Sequence, residues 1–139
     1  MEPQAVSESP NSTRDTIYKA RIFMREMLAR DIMAGIELNE AEFNQAAGAT
    51  LAHIEQALET ADLDFETPAD GIIEVELDDG SKIIINRHGV AREIWVAARS
   101  GGFHFKPHDG DWVDTKDGER LFTKLTALVA LQGGGSIRF

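Results

Sequence analysis

The sequence predicts an α+β fold: a two-layer α/β sandwich in the order α-β(5 or 6)-α, with an antiparallel sheet and both helices on one of its faces. Residues 40–61 and 118–131 carry apolar side chains at helical spacing, and residues 71–114 alternate with a period of two between short turns. Successive strands joined by short turns pair antiparallel. Each helix has a single apolar stripe, so both helices can cover the same face and leave the other exposed.

The first helix is predicted over residues 40–61, where apolar residues recur at steps of three and four: Phe43, Ala47, Leu51, Ile54, Leu58 and Ala61. Asn39 is the expected N-cap, with Glu42 three residues later as in a capping box. The second helix, over residues 118–131, is stopped by three glycines at 133–135.

Five strands are predicted between the helices, at about residues 71–77, 82–87, 92–98, 103–106 and 111–114. Asp79-Gly80 supplies the strongest turn signal, between the first two of these strands. Residues 136–139 are expected to form either a short edge strand, which would be the sixth, or a packed tail. Residues 1–39 are interpreted as an N-terminal extension, disordered over residues 1–13 and then forming an amphipathic helix over residues 14–34, before a domain at 40–139.

The composition excludes several classes of function. Lys and Arg number 14 against 24 Asp and Glu, a net charge of −10, which excludes a general nucleic-acid binder and argues against an anionic membrane as partner. The absence of cysteine excludes a disulfide framework, a thiolate nucleophile and a thiolate-held Fe–S cluster. It also fits a reducing compartment, so we expect a cytoplasmic location.

The acidic residues are concentrated in one part of the chain. No Lys or Arg occurs between Asp31 and Lys82, whereas residues 31–79 contain 14 acids. Five of them are expected to form a ridge along the end of the first helix and its exit, called here the acidic ridge: Glu55, Glu59, Asp62, Asp64 and Glu66. This pattern fits either a solvated face that keeps the protein soluble or a docking surface for a basic partner or hard cations.

No catalytic motif is present in the sequence. The segment that starts at Asp62 lacks the glycine that an EF-hand needs at its sixth position, where Thr67 stands. The sequence has no phosphate-binding loop and no Ser/His/Asp arrangement, and His104 and His108 are interpreted as structural or surface residues. We therefore expect that the protein is not an enzyme.

The sheet face that points away from the helices is predicted from strand alternation. If Ile83, Ile85, Ile94 and Val96 face the helices, the residues between them face solvent, among them Asn86, Glu93 and Trp95. An exposed tryptophan beside polar groups is typical of an interface, although a tryptophan packed under a loop gives the same pattern.

Three segments of the predicted sheet resemble the sheet of bacterial frataxins (the CyaY family): residues 80–87 (GSKIIINR), 94–97 (IWVA) and 101–105 (GGFHF). The resemblance covers about residues 40–139 and implies a frataxin fold. It also implies weak binding of iron, Fe²⁺ or Fe³⁺, on the acidic ridge. It further implies docking on the cysteine desulfurase and the scaffold protein that build iron–sulfur clusters, whose rate the protein would regulate.

The resemblance also assigns residues to these roles. The iron ligands would be Glu55, Glu59, Asp62, Asp64 and Glu66, and the partner-binding residues would be Glu55, Glu59, Asp62, Asn86, Arg87, Glu93 and Trp95. Gln56 and Thr60 replace two acids typical of the family, so the ridge is thinner and high iron stoichiometry is less expected. We expect a monomer. The alternative function is iron storage or ferroxidase-type oxidation, which would need a di-iron site that the sequence does not show.

Overall fold

The structure, a computed structural model, describes residues 38–139. The extension predicted over residues 1–39, including the helix at 14–34, therefore lies almost entirely outside the described residues. The elements, in chain order, are α1 (Glu40–Thr60), β1 (Asp64–Glu66), β2 (Ile72–Glu76), β3 (Lys82–His88), β4 (Glu93–Ala98), β5 (Gly101–His108), β6 (Asp111–Asp114) and α2 (Leu121–Leu131). This arrangement confirms the predicted α+β class and the order of its elements.

Both ends of α1 are set by local hydrogen bonds. At the start, the Asn39 side chain accepts from the Glu42 N–H at 2.8 Å while the Asn39 N–H donates to Glu42 Oε1 at 3.0 Å, so the predicted capping box is complete. At the end, Asp62 adopts a left-handed backbone with φ of 58°. The Asp62 and Leu63 N–H groups donate back to the carbonyls of Glu59 and Leu58, a Schellman arrangement in which glycine is the usual residue at the position of Asp62.

The six strands form one antiparallel sheet whose spatial order is the order of the chain, β1 to β6. The strand that the sequence did not predict is β1, which lies at the edge of the sheet beside β2. Residues 136–139 form no strand; they are a packed tail in which Ile137 is buried. The strand β5 is longer than predicted and α2 starts at Leu121 instead of 118. Glycines and a proline lower strand propensity, yet β5 includes them because it pairs with a neighbour on each side.

The core lies between the helices and one face of the sheet. Ile83, Ile85, Ile94 and Val96 are each 1% exposed or less, as the alternation predicts. The Trp112 indole N–H of β6 donates to Thr50 Oγ1 of α1 at 2.8 Å. The two helices touch through His53 and Phe122, whose rings stack with centroids 5.0 Å apart. Both helices therefore cover the same face, and within residues 38–139 no helix has the length and apolar content needed to span a membrane.

An ion cluster around the largely buried Lys124 and Asp114 joins β6 to α2. The Lys124 ammonium lies 2.9 Å from a carboxylate oxygen of Asp117, 3.1 Å from Glu119 and 3.5 Å from Asp114. The hydrogen bond to Asp117, with the charge of Glu119, raises the pKa of Lys124, and the same bond lowers the pKa of Asp117. The cluster fixes the loop that leads from the sheet into the second helix.

The turn after α2 is packed tightly against the sheet. A Cβ atom added to Gly134 would lie 2.5 Å from Val129 Cγ1 and 2.9 Å from Leu77 Cδ1, so any larger residue there would force a shift. Beside it, the buried Gln132 side chain donates to Ser81 Oγ at 2.7 Å and accepts from the Arg99 N–H at 3.1 Å. The end of α2 is thus tied to two turns of the sheet.

Candidate functional site

The face of the sheet opposite the helices, called here the outer face, is exposed and has two different halves. Residues that alternate with the buried positions of each strand share this face, and the register places them in cross-strand rows. The half built on β1 and β2 is acidic. The half built on β3, β4 and β5 carries aromatic rings and polar groups, and it is called here the aromatic patch: Asn86, His88, Glu93, Trp95 and His104.

The five residues of the acidic ridge lie on the second half of α1, at its end and on β1. Glu55 and Glu59 lie four residues apart on the helix, and like charges at that spacing repel. Asp62 is exposed at the helix end, and Asp64 and Glu66 are exposed on β1. Among residues 38–139, however, no three histidine or acidic side chains converge on a point where they could hold a metal ion. The ridge is therefore an open row of carboxylates and not a preformed cage.

The acidic half of the outer face includes residues that the sequence analysis did not single out. Asp64 lies directly opposite Glu76, and Glu66 lies directly opposite Glu74, so two like-charged pairs face each other across β1 and β2. These side chains border a surface depression of about 250 Å³. Glu74 and Glu76 were visible in the sequence as the polar positions of an alternating strand, but their partners depend on a register that spacing alone does not give.

One lysine partly compensates this charge. The Lys82 ammonium lies 3.2 Å from Glu74 Oε1, and this hydrogen bond, with the nearby charges of Glu76 and Glu66, raises the pKa of Lys82. The four carboxylates of β1 and β2 and this single cation leave the acidic half with a net negative charge. Such a surface attracts cations and basic protein surfaces over a distance set by the ionic strength.

Trp95 is the centre of the aromatic patch. Its indole ring stacks on His88, with centroids 3.7 Å apart and planes at 14°, and on His104, with centroids 4.3 Å apart and planes at 7°. The indole N–H donates to Glu93 Oε1 at 2.8 Å. Asn86 lies directly opposite Trp95 on β3. The structure thus brings Asn86, Glu93 and Trp95 together on the outer face, as the alternation predicts.

Arg87, which the sequence analysis grouped with these residues, lies elsewhere. It alternates with Asn86 and pairs in register with the buried Ile94, so it belongs to the helix-facing side of the sheet. Its guanidinium donates to Asp70 Oδ2 at 2.7 Å and lies against Gly71, whose φ is 81°. The structure does not bring Arg87 together with Asn86 and Trp95, because neighbouring residues of a strand point to opposite faces.

The sequence does not predict that the two histidines of the patch lie beside Trp95. It predicts His104 as a structural or surface residue, and His88 follows the predicted strand at 82–87. His88 ends β3 and His104 lies within β5, on either side of Trp95 of β4. Only the pairing of three strands brings these rings together, so no local spacing could have shown the stack.

Comparison with known proteins identifies the family. Residues 36–135 match the family model of the frataxin-like domain. The chain belongs to the frataxin-like family. A curated relative, the iron-sulfur cluster assembly protein CyaY of Dechloromonas aromatica, is 50% identical over 102 residues, which cover 72% of this chain and 97% of the relative. The CyaY protein of Vibrio cholerae is 48% identical over 90 residues, which cover 63% of this chain and 86% of the relative.

Solved structures agree with this assignment. The frataxin of Psychromonas ingrahamii superposes with a TM-score of 0.68 at 27% identity, covering 73% of this chain and 97% of the other. A trimeric frataxin from the yeast Saccharomyces cerevisiae, complexed with ferrous iron, superposes with a TM-score of 0.57 at 26% identity, covering 63% of this chain and 84% of the other. These comparisons confirm the resemblance to bacterial frataxins and the fold that it implies.

Proposed function

We propose that this frataxin-like protein acts in iron–sulfur cluster assembly, as an iron-binding regulator and adaptor and not as an enzyme. Its membership of the frataxin-like family, with relatives that are iron–sulfur cluster assembly proteins, supports the general role. The observation that carries the finer role is the exposed acidic surface of α1, β1 and β2, in a stretch of chain without Lys or Arg before Lys82. The absence of cysteine means that the protein can only bring iron or act on its partners.

Iron is proposed to bind weakly on the acidic ridge as a cargo or regulatory ion. Carboxylates are hard ligands that suit Fe²⁺ and Fe³⁺, and an open row of them binds such ions with low affinity and low selectivity. The yeast frataxin complexed with ferrous iron supports this part of the proposal. Isothermal titration with Fe²⁺ under anaerobic conditions, compared with a variant in which Glu55, Glu59 and Asp62 become lysines, tests it. Equal heats of binding in the two proteins would refute a ridge site.

The acidic ridge is also proposed to dock on the cysteine desulfurase. Carboxylates one helical turn apart attract a basic groove mainly through long-range forces, so the affinity should weaken steeply with added salt. Binding of the full chain to the desulfurase is measured at low and at high salt, with the same triple-lysine variant beside it. Loss of binding in the variant supports the proposal, and an affinity independent of salt contradicts it.

A matched pair of single variants separates a ridge effect from a general loss of charge. Glu59→Gln and Glu40→Gln remove the same charge from exposed positions of α1, one at its end and one at its start. We expect Glu59→Gln to weaken desulfurase binding and Glu40→Gln to leave it close to that of the wild type. Equal losses would place the interaction outside the ridge.

The aromatic patch is proposed to contact the scaffold protein. Asn86, Glu93 and Trp95 are half-exposed neighbours on the outer face, and an aromatic ring among polar groups suits an interface. Trp95→Ala should weaken scaffold binding at least tenfold, in the range of an interface anchor. The variant should still bind the desulfurase, because the ridge lies on other elements. A saturable, catalytic oxidation of Fe²⁺ in air would instead favour the ferroxidase alternative.

A further inference from the structure

The stack of His88, Trp95 and His104 has a consequence for how the aromatic patch is presented. Imidazole covers both faces of the indole, so only the ring edge of Trp95 is open to a partner. A tryptophan on an open sheet face would otherwise sample several rotamers. The two imidazoles therefore limit the orientations available to the indole before any partner arrives, which lowers the entropy lost on binding.

The hydrogen bond of His88 makes its side of the stack sensitive to protons. The Ala91 N–H donates to His88 Nδ1 at 3.1 Å, so in the neutral ring the proton is on Nε2. In the imidazolium form both ring nitrogens carry protons and neither can accept this bond, whichever way the ring is turned. Protonation of His88 thus removes the hydrogen bond that fixes its ring against Trp95.

Protonation has the opposite effect at His104, where it strengthens the contact that holds the imidazole beside Trp95. Its Nδ1 lies 3.6 Å from Glu93 Oε1, the same oxygen that accepts the Trp95 indole N–H at 2.8 Å. An imidazolium at His104 gains an ion pair with Glu93, so protonation holds this ring in place. The two sides of the clamp therefore differ, and the proton-sensitive side is His88.

Few other charges face the stack. Glu93 is the acidic neighbour on β4, and Lys106, which shares the outer face with His104 on β5, is the basic one. The remaining outer-face neighbours are uncharged: Ile72 on β2, Asn86 on β3 and Val113 on β6.

We propose that His88 and His104 are positioning residues that clamp the Trp95 indole edge-outward, and that protonation of His88 opens the clamp and weakens scaffold binding as the pH falls. The scaffold partner rests on the proposed function above, whereas the clamp is a property of the free protein. Immobilising a side chain costs enough to change affinity roughly 2- to 12-fold, which is the expected effect of opening it.

The clamp is tested on the free full-length protein by following the indole N–H signals in two-dimensional ¹H–¹⁵N spectra between about pH 5 and pH 8. The Trp95 signal should move along a sigmoidal curve. The Trp112 signal is the internal control, because its N–H donates to Thr50 Oγ1 inside the core. His88→Phe keeps a ring against the indole but cannot take up a proton, so it should reduce the movement of the Trp95 signal. A Trp95 signal that does not titrate, or that titrates unchanged in His88→Phe, refutes the clamp.

The affinity for the scaffold tests whether opening the clamp weakens binding. Wild type and His88→Phe are compared at the same pH, so that any effect of pH on the scaffold itself is common to both. From about pH 8 to about pH 6 the wild type should lose affinity relative to His88→Phe. His88→Ala should bind weakly at both pH values, because it lacks the ring altogether. His88→Ala binding as tightly as the wild type at pH 8 would overturn the positioning role. If the indole signal titrates as expected but no scaffold binds at any pH, the clamp stands and the docking role is refuted.

Discussion

Neutralising Asp64 and Glu66 should stabilise the protein, because each lies directly opposite another carboxylate across β1 and β2. Directly opposed side chains bring two carboxylates to about 6 Å, where two unit charges in water repel by about 0.7 kcal/mol. Lys82, which lies opposite Glu76 on β3, attracts Glu76 and Glu66, whereas Asp64 is not among the charges that raise the pKa of Lys82, so removing Asp64 relieves its repulsion from Glu76 without the loss of an attraction. The pair of Glu66 and Glu74 bears less, since Lys82 lies 3.2 Å from Glu74 and also attracts Glu66.

We therefore expect Asp64→Asn to raise the free energy of unfolding by about 0.7 kcal/mol and Glu66→Gln to raise it by only about 0.2 kcal/mol. For a domain of this size, the combined gain of about 1 kcal/mol corresponds to a rise in Tm of about 4–8 °C. The assay is thermal unfolding of the wild type, both single variants and the double variant. The measurements are made at about 0.01 M and about 1 M salt, where the Debye length falls from about 30 Å to about 3 Å.

The salt dependence distinguishes this electrostatic gain from any other effect of the substitutions. At high salt the gain of the double variant should largely disappear, since the repulsion is then screened in the wild type as well. Asp109→Asn, which removes an exposed acid from the turn between β5 and β6, is the control, and its effect should not vary with salt. A double variant that melts at or below the wild type at low salt would refute the reasoning, as would a gain of equal size at both salt concentrations.

Five further substitutions, at four positions, test features of the fold. Asp62→Gly should raise the urea midpoint by relieving the left-handed backbone, a gain of about 0.5 kcal/mol, whereas Asp62→Asn removes only the charge, and both should weaken desulfurase binding. Gly134→Ala should lower stability by about 1–3 kcal/mol through its clash, while Gly48→Ala on the open surface of α1 should raise it by about 1 kcal/mol in the same unfolding assay. Lys124→Met should cost about 3 kcal/mol by leaving the buried carboxylate of Asp114 without its cation. The lowered pKa of Asp117 means that its ionised form stabilises the fold above about pH 4, and this stabilisation is lost as the pH falls further. The Tm of Lys124→Met should therefore fall less steeply with decreasing pH than the Tm of the wild type. An equal fall of Tm in the two proteins would contradict this.

Local features of the fold were predicted from sequence because local chemistry determines them. Asn39 and Glu42 stand at the spacing of a capping box, and the box is complete. Strand alternation places Ile83 and Ile85 on one face of β3 and Lys82, Ile84 and Asn86 on the other without knowledge of any other strand. The sequence predicts five or six strands and does not identify β1 as one of them. The strand β1 has only three residues, and residues this acidic have low strand propensity, so only its pairing with β2 makes it a strand.

The sequence predicts part of the candidate site. The residues that it does not predict are those brought together by the pairing register of neighbouring strands. Trp95 and Asn86 were assigned to one exposed face from alternation alone. Their neighbours His88 and His104 were not, since the three rings come from three strands. Arg87 was grouped with Trp95 and Asn86 by resemblance along the chain, but a strand directs neighbouring residues to opposite faces, and its contact with a partner stays a prediction. Cross-strand contacts follow from the tertiary structure and not from local spacing.

The agreement between chain order and strand order has a consequence for folding kinetics. Every strand pairs with the one that precedes it, so each hairpin can close over a short loop at a small cost in loop entropy. The helices are the exception, because α1 precedes all six strands in the chain and α2 follows them. Their contact, such as that of His53 with Phe122, joins residues far apart in sequence. We expect the central hairpins to form early in folding. The contact between the two helices should form in the rate-limiting step, since contacts between distant parts of a chain are the slow ones.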